Sequence, residues 1–392
     1  MLTTFYPPYH HGGDATYVRA LARALTQRGH AVEVVHCEDA YSIRRGYRTA
    51  PPPEEDGIVV HRLRSRWKLL SPLLTQQTGH PVLKTQKLQA ILQRRFDVIH
   101  FHNISLIGGP AILGMGQALV KLYTLHEHWL LCPMHIFWKN RQQACDRPEC
   151  IRCCLRSGIP PQWWRYTSLL QESTAKLDAF LAPSEYTANR HRAAGFSIPI
   201  HLHPLFSTLD PGAPPPFVAG KRPKFLYVGR ITAAKGILPL LKIFAELTDY
   251  DLDVVGDGDL RPQLQQAYQN HANIYFWGQM SQQQLIARYQ GATALIFPSL
   301  APETFGLVIV EAFACGTPVI AHNAGGSREL IEKTGAGFVY ESESELISAI
   351  HTLAQTPGLR QELGARAYQS YQQNYTEKTH VDAYLQHIQM IQ

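Results

Sequence analysis

Two glutamates, Glu303 and Glu311, bracket the run PETFGLVIVEAFAC (302–315), and only Thr304 among the seven residues between them is polar. If a helix starts just after Glu303, eight residues at 1.5 Å each set Glu311 about 12 Å further along its axis. Carboxylates that hydrolyse a glycosidic bond stand about 5 to 9.5 Å apart across that bond. The pair is therefore too widely spaced for hydrolysis and suits hydroxyl groups at the two ends of one elongated ligand, such as the hexose and ribose of a nucleotide sugar. The diphosphate between those rings would meet a helix N-terminus, whose unpaired N–H groups favour anions. Gly306, lacking a side chain, lets the amides approach. The plainer alternative is that Glu303 complements the helix dipole and Glu311 faces water. Against it, Glu311 sits between Val310 and Ala312 in a helix apolar on nearly every face, where a carboxylate requires a partner.

A cationic pair accompanies them. FLYVGRITAAKGI places Arg230 directly after a strand pattern and Lys235 at the start of the next helix. In an open parallel sheet, ligands bind beyond the carboxyl ends of strands, so both cations could neutralise a leaving diphosphate without a metal. Surface charge is the alternative. Two glycine turns are weaker signals. Gly12 and Gly13 precede Asp14 in PPYHHGGDATYV, and Gly325, Gly326 and Ser327 follow AHNA. Each could bring backbone amides to a phosphate or be a tight turn only. A base pocket is expected near Gly256 to Leu260 and Gly278 to Met280, with no side chain that selects the base.

These residues have to be positioned by something, and the surrounding pattern is strands alternating with amphipathic helices, which implies parallel sheets with helical crossovers. In the first half the strands are AVEVVHC, IVVHRL, DVIHFH, VKLYTLH and AFLAPS. In the second they are KFLYVG, LDVVG, IYFWG, ALIFPS and PVIAH, with helices beginning near Gly236, Leu260, Ser281, Phe305 and Gly326. Two doubly wound α/β domains follow. The Pro-rich run 207–223 reads as the linker, and the last residues as one more amphipathic helix. Only MLTTF precedes the first Pro-Pro, so the first strand is either unusually short or begins late.

Composition excludes a disordered or fibrous chain: 392 residues, 45% hydrophobic and 17% charged, are ordinary for globular domains. No stretch is apolar and long enough for a spanning helix, and the start lacks a signal-peptide pattern, so a cytosolic protein is expected. Charge is unevenly divided. Residues 1–205 carry 24 Lys and Arg against 14 Asp and Glu, and the remainder 13 against 17. A basic first domain suits an anionic surface or ligand, and HRLRSRWKLLSPLL (61–74) has the composition of a segment that lies on an anionic membrane face. Nothing suggests a nucleic-acid partner.

Five of the seven cysteines fall between 132 and 154 (Cys132, Cys145, Cys150, Cys153, Cys154) with a single C-x2-C. They read as free thiols, a structural zinc knot or a disulfide. DLDVVGDGD offers D-x-D triplets of the kind that hold a divalent ion, but Asp251 and Asp253 open a strand, and Arg230 with Lys235 would supply the charge. No metal or other cofactor is expected.

Across its whole length the chain resembles the family 4 retaining glycosyltransferases of the GT-B fold. The resemblance rests on PYHHGG at the start, GRITAAKG opening the second domain, and above all PETFGLVIVEAFACGTPVIA with its E-x7-E spacing followed by GG. It implies two Rossmann-like domains facing a cleft, with 1–206 binding the acceptor and 224–374 the donor. The terminal helix, 375–392, would pack back on the first domain. By resemblance, Glu303 contacts the donor sugar, Glu311 the ribose, and Arg230 and Lys235 the diphosphate. Thr304 and the amides around Phe305, Gly306 and Leu307 reach sugar and phosphate, while Gly278 and Met280 lie at the base. Among 19 histidines, the resemblance favours His126 as the residue facing the donor sugar, with His102 and Glu127 as neighbours. No carboxylate in TLHEHW matches a covalent nucleophile, so front-face substitution is implied.

The expected activity is metal-independent, retaining hexosyl transfer from a nucleotide diphosphate sugar, UDP favoured, to a saccharide or lipid-linked acceptor in polysaccharide or glycoconjugate synthesis. The expected location is the cytoplasm, with peripheral contact at the inner membrane face. A non-catalytic nucleotide-sugar or carbohydrate-binding protein and a non-hydrolysing sugar-nucleotide epimerase are the alternatives.

Overall fold

The apolar runs pair in parallel, and the order in which they pair fixes where a ligand can lie. The computed structural model describes residues 1–10, 12–45, 57–209, 211–218 and 220–392. One unit comprises Met1–His135, Glu149–Pro204 and Glu377–Gln392, the other Ile136–Pro148 and Leu205–Thr376. Residues 136–148, expected in the first domain, thus belong with the second. The reason is local: Trp138 packs with Ala234 and Ala301 in a small apolar cluster.

In the second unit, the strands Lys224–Val228, Asp251–Val255, Ile274–Gly278, Ala294–Phe297, Val319–His322 and Gly337–Tyr340 are all parallel. Their spatial order is third, second, first, fourth, fifth, sixth. This is the doubly wound order. Its direction reverses between the first and fourth strands, where the flanking helices diverge and leave a crevice at the carboxyl ends. Asp251–Val255 and Ala294–Phe297 are buried along their whole length, and ALIF accordingly reads as a continuous apolar run and not as an alternating one. Phe225, Leu252, Ile296 and Ile320 anchor the core beneath helices such as Ile237–Glu246.

In the first unit, Ile58–Leu63 pairs with Val32–Cys37, and Arg95–Phe101, Gln117–Thr124, Ala179–Ala182 and Ile200–Leu202 follow in that order, all parallel. The short MLTTF run fills the place between the two groups. Leu2 bridges both Val35 and Phe101, with the Leu2 amide donating to the His100 carbonyl at 2.8 Å and the Thr3 amide to Val35 at 3.0 Å.

The last helix, Glu377–Ile391, belongs to this first unit. It is tied there by Tyr17 Oη to His380 Nε2 (2.7 Å), by His100 Nδ1 to Tyr384 Oη (3.0 Å) and by Arg28 to Asp382 (2.6 Å). The described residues of the Pro-rich run 207–223 contain no helix or strand. That run packs on the second unit, where the Tyr371 hydroxyl donates to the Leu209 carbonyl at 3.2 Å. No helix among the described residues is long and apolar enough to cross a membrane.

Candidate active site

The site assembles where the second sheet reverses. After Val228 the chain turns through Gly229 and Arg230, whose carbonyl accepts from Tyr227 Oη at 2.7 Å. A single 3-10 turn, Ala233–Lys235, then ends at Gly236. Gly236 has φ +70°, and a Cβ there would come within 1.8 Å of the Pro298 carbonyl oxygen, so only glycine lets this loop lie against the one after the fourth strand. The close approach delivers Lys235 to Glu303: Lys235 Nζ donates to Glu303 Oε1, and Ser299 Oγ donates to the same oxygen at 2.6 Å. Burial alone would raise the Glu303 pKa, but the Lys235 ammonium, the Ser299 hydroxyl and the Arg230 charge outweigh it and hold it below the usual carboxylate value. Arg230 is exposed, and no ion pair to its guanidinium is formed among the described residues.

Glu303 is not on the helix. Its backbone bridges Gly325, with the Gly326 amide donating to the Glu303 carbonyl at 2.7 Å and the Glu303 amide to Ala324 at 3.3 Å. At Gly325 (φ +79°) a Cβ would lie 2.6 Å from the Glu303 nitrogen. The second glycine turn therefore clamps Glu303 in place, a role distinct from the phosphate cradle its sequence suggests. The helix itself, Leu307–Ala314, begins later than expected, after Gly306 at φ +108°, so helical rise does not set the spacing of the two acids. Phe305 is buried against Tyr375, while Thr304, Gly306 and Leu307 are half-buried. The first-turn amides have no acceptor within the helix, as at any helix start.

Glu311 faces a partner that the sequence did not reveal. Tyr289, fully buried on the helix Gln282–Gly291, donates its hydroxyl to Glu311 Oε2 at 2.9 Å. Burial pushes the Glu311 carboxyl up to about 7, with the Tyr289 hydrogen bond opposing it. The stretch Gly256–Leu260 folds onto the Arg230 loop through Ile231 N to Asp257 O (3.0 Å) and Leu260 N to Ile231 O (3.2 Å). Gly278 lies against the Arg261 guanidinium, to which a Cβ would come within 3.0 Å. Met280 is half-buried just beyond it. Arg261 Nε is buried with no acceptor among the described residues.

In the first unit, Gly12 (φ +111°) caps the helix Gly13–Gln27. Asp14, in its first turn, accepts from Asn103 Nδ2 at 3.4 Å, and burial followed by the Glu127 charge lifts its carboxyl to about 6. His126 follows the strand Gln117–Thr124. Its Nε2 lies 3.0 Å from His102 Nδ1, the Tyr17 ring meets it edge-on at 5.0 Å, and burial lowers its pKa to about 3. His126 is thus a neutral imidazole. Glu127 pairs with His135 at 2.8 Å.

The aspartates of the first D-x-D triplet are occupied elsewhere: Asp251 takes Arg222 at 2.9 Å, and Asp253 takes Arg288 at 2.9 Å and the Trp277 indole at 2.7 Å. None of the seven cysteines is joined in a disulfide. Cys132, Cys150, Cys153 and Cys154 belong to the first unit and Cys145 to the second. No group of three or more His, Cys, Asp or Glu among the described residues is placed to hold a metal.

Ser299, Tyr289 and Arg261 are the site residues that sequence reasoning missed. Only Ser299 carried a signal, its place immediately beyond a buried strand. As a whole, the arrangement offers cations for an anion, two unlike carboxylates for hydroxyls, and helix-start amides between them.

Comparison with known proteins gives the family and the fold. The Glycosyltransferase Family 4 model matches residues 11–206, and the Glycosyl transferases group 1 model matches residues 214–370. An uncharacterized glycosyltransferase of Methanocaldococcus jannaschii is 24% identical over 89% of this chain and 86% of its own. Sucrose-phosphate synthase from Thermosynechococcus elongatus superposes with a TM-score of 0.74 at 20% identity, covering 99% of this chain and 98% of its own. Anabaena HepE in complex with UDP-glucose does so at 0.65 and 17%, covering 99% of each chain. At these identities the structural likeness shows the fold, GT-B, alone.

Proposed function

The chain belongs to glycosyltransferase family 4, and from that premise we propose that it moves a hexosyl unit from a nucleotide diphosphate sugar, UDP-sugar favoured, to a saccharide or lipid-linked acceptor with retention. The observation that carries this reading is the Glu303 carboxylate, kept ionised by Lys235 and Ser299 at the reversal point of the sheet. A preformed anion there accepts hydrogen bonds from hexose hydroxyls, while Lys235 and Arg230 receive the diphosphate. The amides of Phe305, Gly306 and Leu307 take the oxygens between, Glu311 takes the ribose diol, and the Gly278–Met280 turn borders the base. The HepE complex with UDP-glucose supports uridine as the base.

In the transfer step, the anomeric carbon–oxygen bond to phosphate breaks with its electron pair on the departing nucleotide. The acceptor oxygen bonds to the same face, and its proton passes to the leaving phosphate oxygen. Arg230 and Lys235 stabilise the charge that develops there, the part a metal otherwise plays. His126, kept neutral by burial, can donate or accept one hydrogen bond in the first unit.

Titration calorimetry with UDP-, GDP- and ADP-sugars tests the donor, and NMR of the product anomer tests retention. Donor binding with no transfer or hydrolysis to any acceptor would instead indicate a binding protein, and donor conversion without acceptor an epimerase.

A further inference from the structure

The helix Leu70–Thr78 in the first unit is built inside out. It buries Ser71, Pro72, Thr75 and Gln76 and leaves Leu70 and Leu73 each 43% exposed, with Leu69 just ahead at 64%. The polar inner face is fully engaged. The buried Lys84 amine donates to Ser71 Oγ at 3.0 Å and to Thr75 Oγ1 at 2.9 Å, and Gln76 Nε2 donates to the Pro160 carbonyl at 2.8 Å. Rotating the leucines inward would strand an ammonium and an amide without partners. The inner hydrogen bonds therefore fix the leucines outward.

More apolar surface lies close by in sequence: Trp67 is 65% exposed, Leu83 41% and Val82 38%. Along the segment itself charge has one sign, although the buried Asp39 accepts from the Ser65 amide at 2.8 Å beneath it. From Gly57 to Phe96 the sequence holds eight Lys and Arg and no Asp or Glu, and Arg62 and Arg66 are exposed beside Trp67.

We propose that this face docks on a membrane surface rich in anionic lipid. Trp67, Leu69, Leu70 and Leu73 enter the boundary between headgroups and acyl chains, and Arg62 and Arg66 meet the lipid phosphates. The absence of any acid in the segment selects an anionic surface, and a tryptophan beside leucines suits the interfacial layer. The inference deepens the lipid-linked acceptor reading and rests on it for its purpose, but its test uses no substrate, so the two fail separately.

Cosedimentation of the full chain with phosphatidylcholine–phosphatidylglycerol vesicles, against pure phosphatidylcholine, reads the contact directly. The expected result is binding to the mixed vesicles that weakens with salt. Leu69→Ser/Leu70→Ser/Leu73→Ser should lose at least about tenfold in partitioning, and Arg62→Gln/Arg66→Gln roughly tenfold. Circular dichroism and UDP-sugar binding should be unchanged in both. Equal binding to both vesicle types, no binding at low salt, or wild-type partitioning by the leucine variant overturns the proposal. So does a concentration-dependent dimer that the leucine variant abolishes, which would assign the face to a second copy of the chain.

Discussion

The hydroxyl of Tyr289 donates to Oε2 of Glu311 across 2.9 Å. Glu311 Oε1 takes no hydrogen bond from the described residues. One oxygen of the acid is thus fixed by the protein, and the proposed donor would take the other. Tyr289→Phe should raise KM for the donor about tenfold with little change in kcat, because one charge-assisted hydrogen bond of about 1.5 kcal/mol orients the acid in ground and transition states alike. Equal losses in kcat and KM would contradict a positioning role.

Glu311 also sets a pH dependence. Its carboxyl is pushed from the ordinary 4.5 to about 7, so the folded protein holds a proton there that the unfolded chain has released. Its stabilising contribution is complete below about 4.5 and is lost as pH rises through about 7. Ionised Glu311 is the better acceptor for a diol, so donor affinity should rise over the same range. Glu311→Gln should abolish both trends, as read by denaturation midpoints and donor titrations at several pH values.

Lys235 and Glu303 act as one unit. Removing either leaves a half-buried charge without its partner, so Glu303→Ala and Lys235→Ala should each lower kcat by about 10² to 10³. The double variant should be little worse than either single. The folded pKa of Glu303 is depressed, so its contribution to stability is present above the ordinary carboxylate value and fades as pH falls through the folded value. Additive losses in a kinetic double-mutant cycle would count against the coupling.

Gly325→Ala should disturb Glu303 from a distance in sequence. A Cβ at φ +79° would press on the Glu303 backbone, costing about 1–3 kcal/mol of stability. It should also cut activity by more than the folded fraction explains, as measured by thermal melting beside kcat/KM.

Acid should loosen the first unit. His100, His102 and His203 are lowered well below 6.5 by burial, and His380 falls to about 4 from the same cause. The unfolded chain therefore binds protons that the native fold refuses, and stability falls as pH drops from about 6.5 toward 4. His380 stands against Tyr17 and His203, and His100 against Thr124 and Tyr384. Protection of the terminal helix Glu377–Ile391 against hydrogen exchange, corrected for the intrinsic rate at each pH, should fall below pH 6. Unchanged protection at pH 5 would contradict the account.

The doubly wound sheets were legible because a buried parallel strand must be a short apolar run, as in ALIF and VIAH. The two acids and two cations stood out for an equally local reason, being charges placed at strand ends and inside apolar helices. What stayed hidden was non-local. Nothing near Tyr289 announces that it meets Glu311, 22 positions away. The start of the helix at Leu307 depends on Gly306 at φ +108° and on a bridge from Glu303 to Gly325, and the assignment of residues 136–148 depends on where Trp138 finds an apolar neighbour. Composition marked 61–74 as a surface segment, but not which side of the helix Leu70–Thr78 turns out, because a buried lysine thirteen residues beyond Ser71 decides its rotation.

A crystal structure of the chain soaked with a UDP-hexose tests the central claim most directly. The account predicts the diphosphate between Arg230, Lys235 and the first amides of the helix Leu307–Ala314, with Glu303 on the hexose hydroxyls and Glu311 on the ribose. A donor bound elsewhere with that turn empty, or either carboxylate more than about 3.5 Å from every hydroxyl, would contradict it.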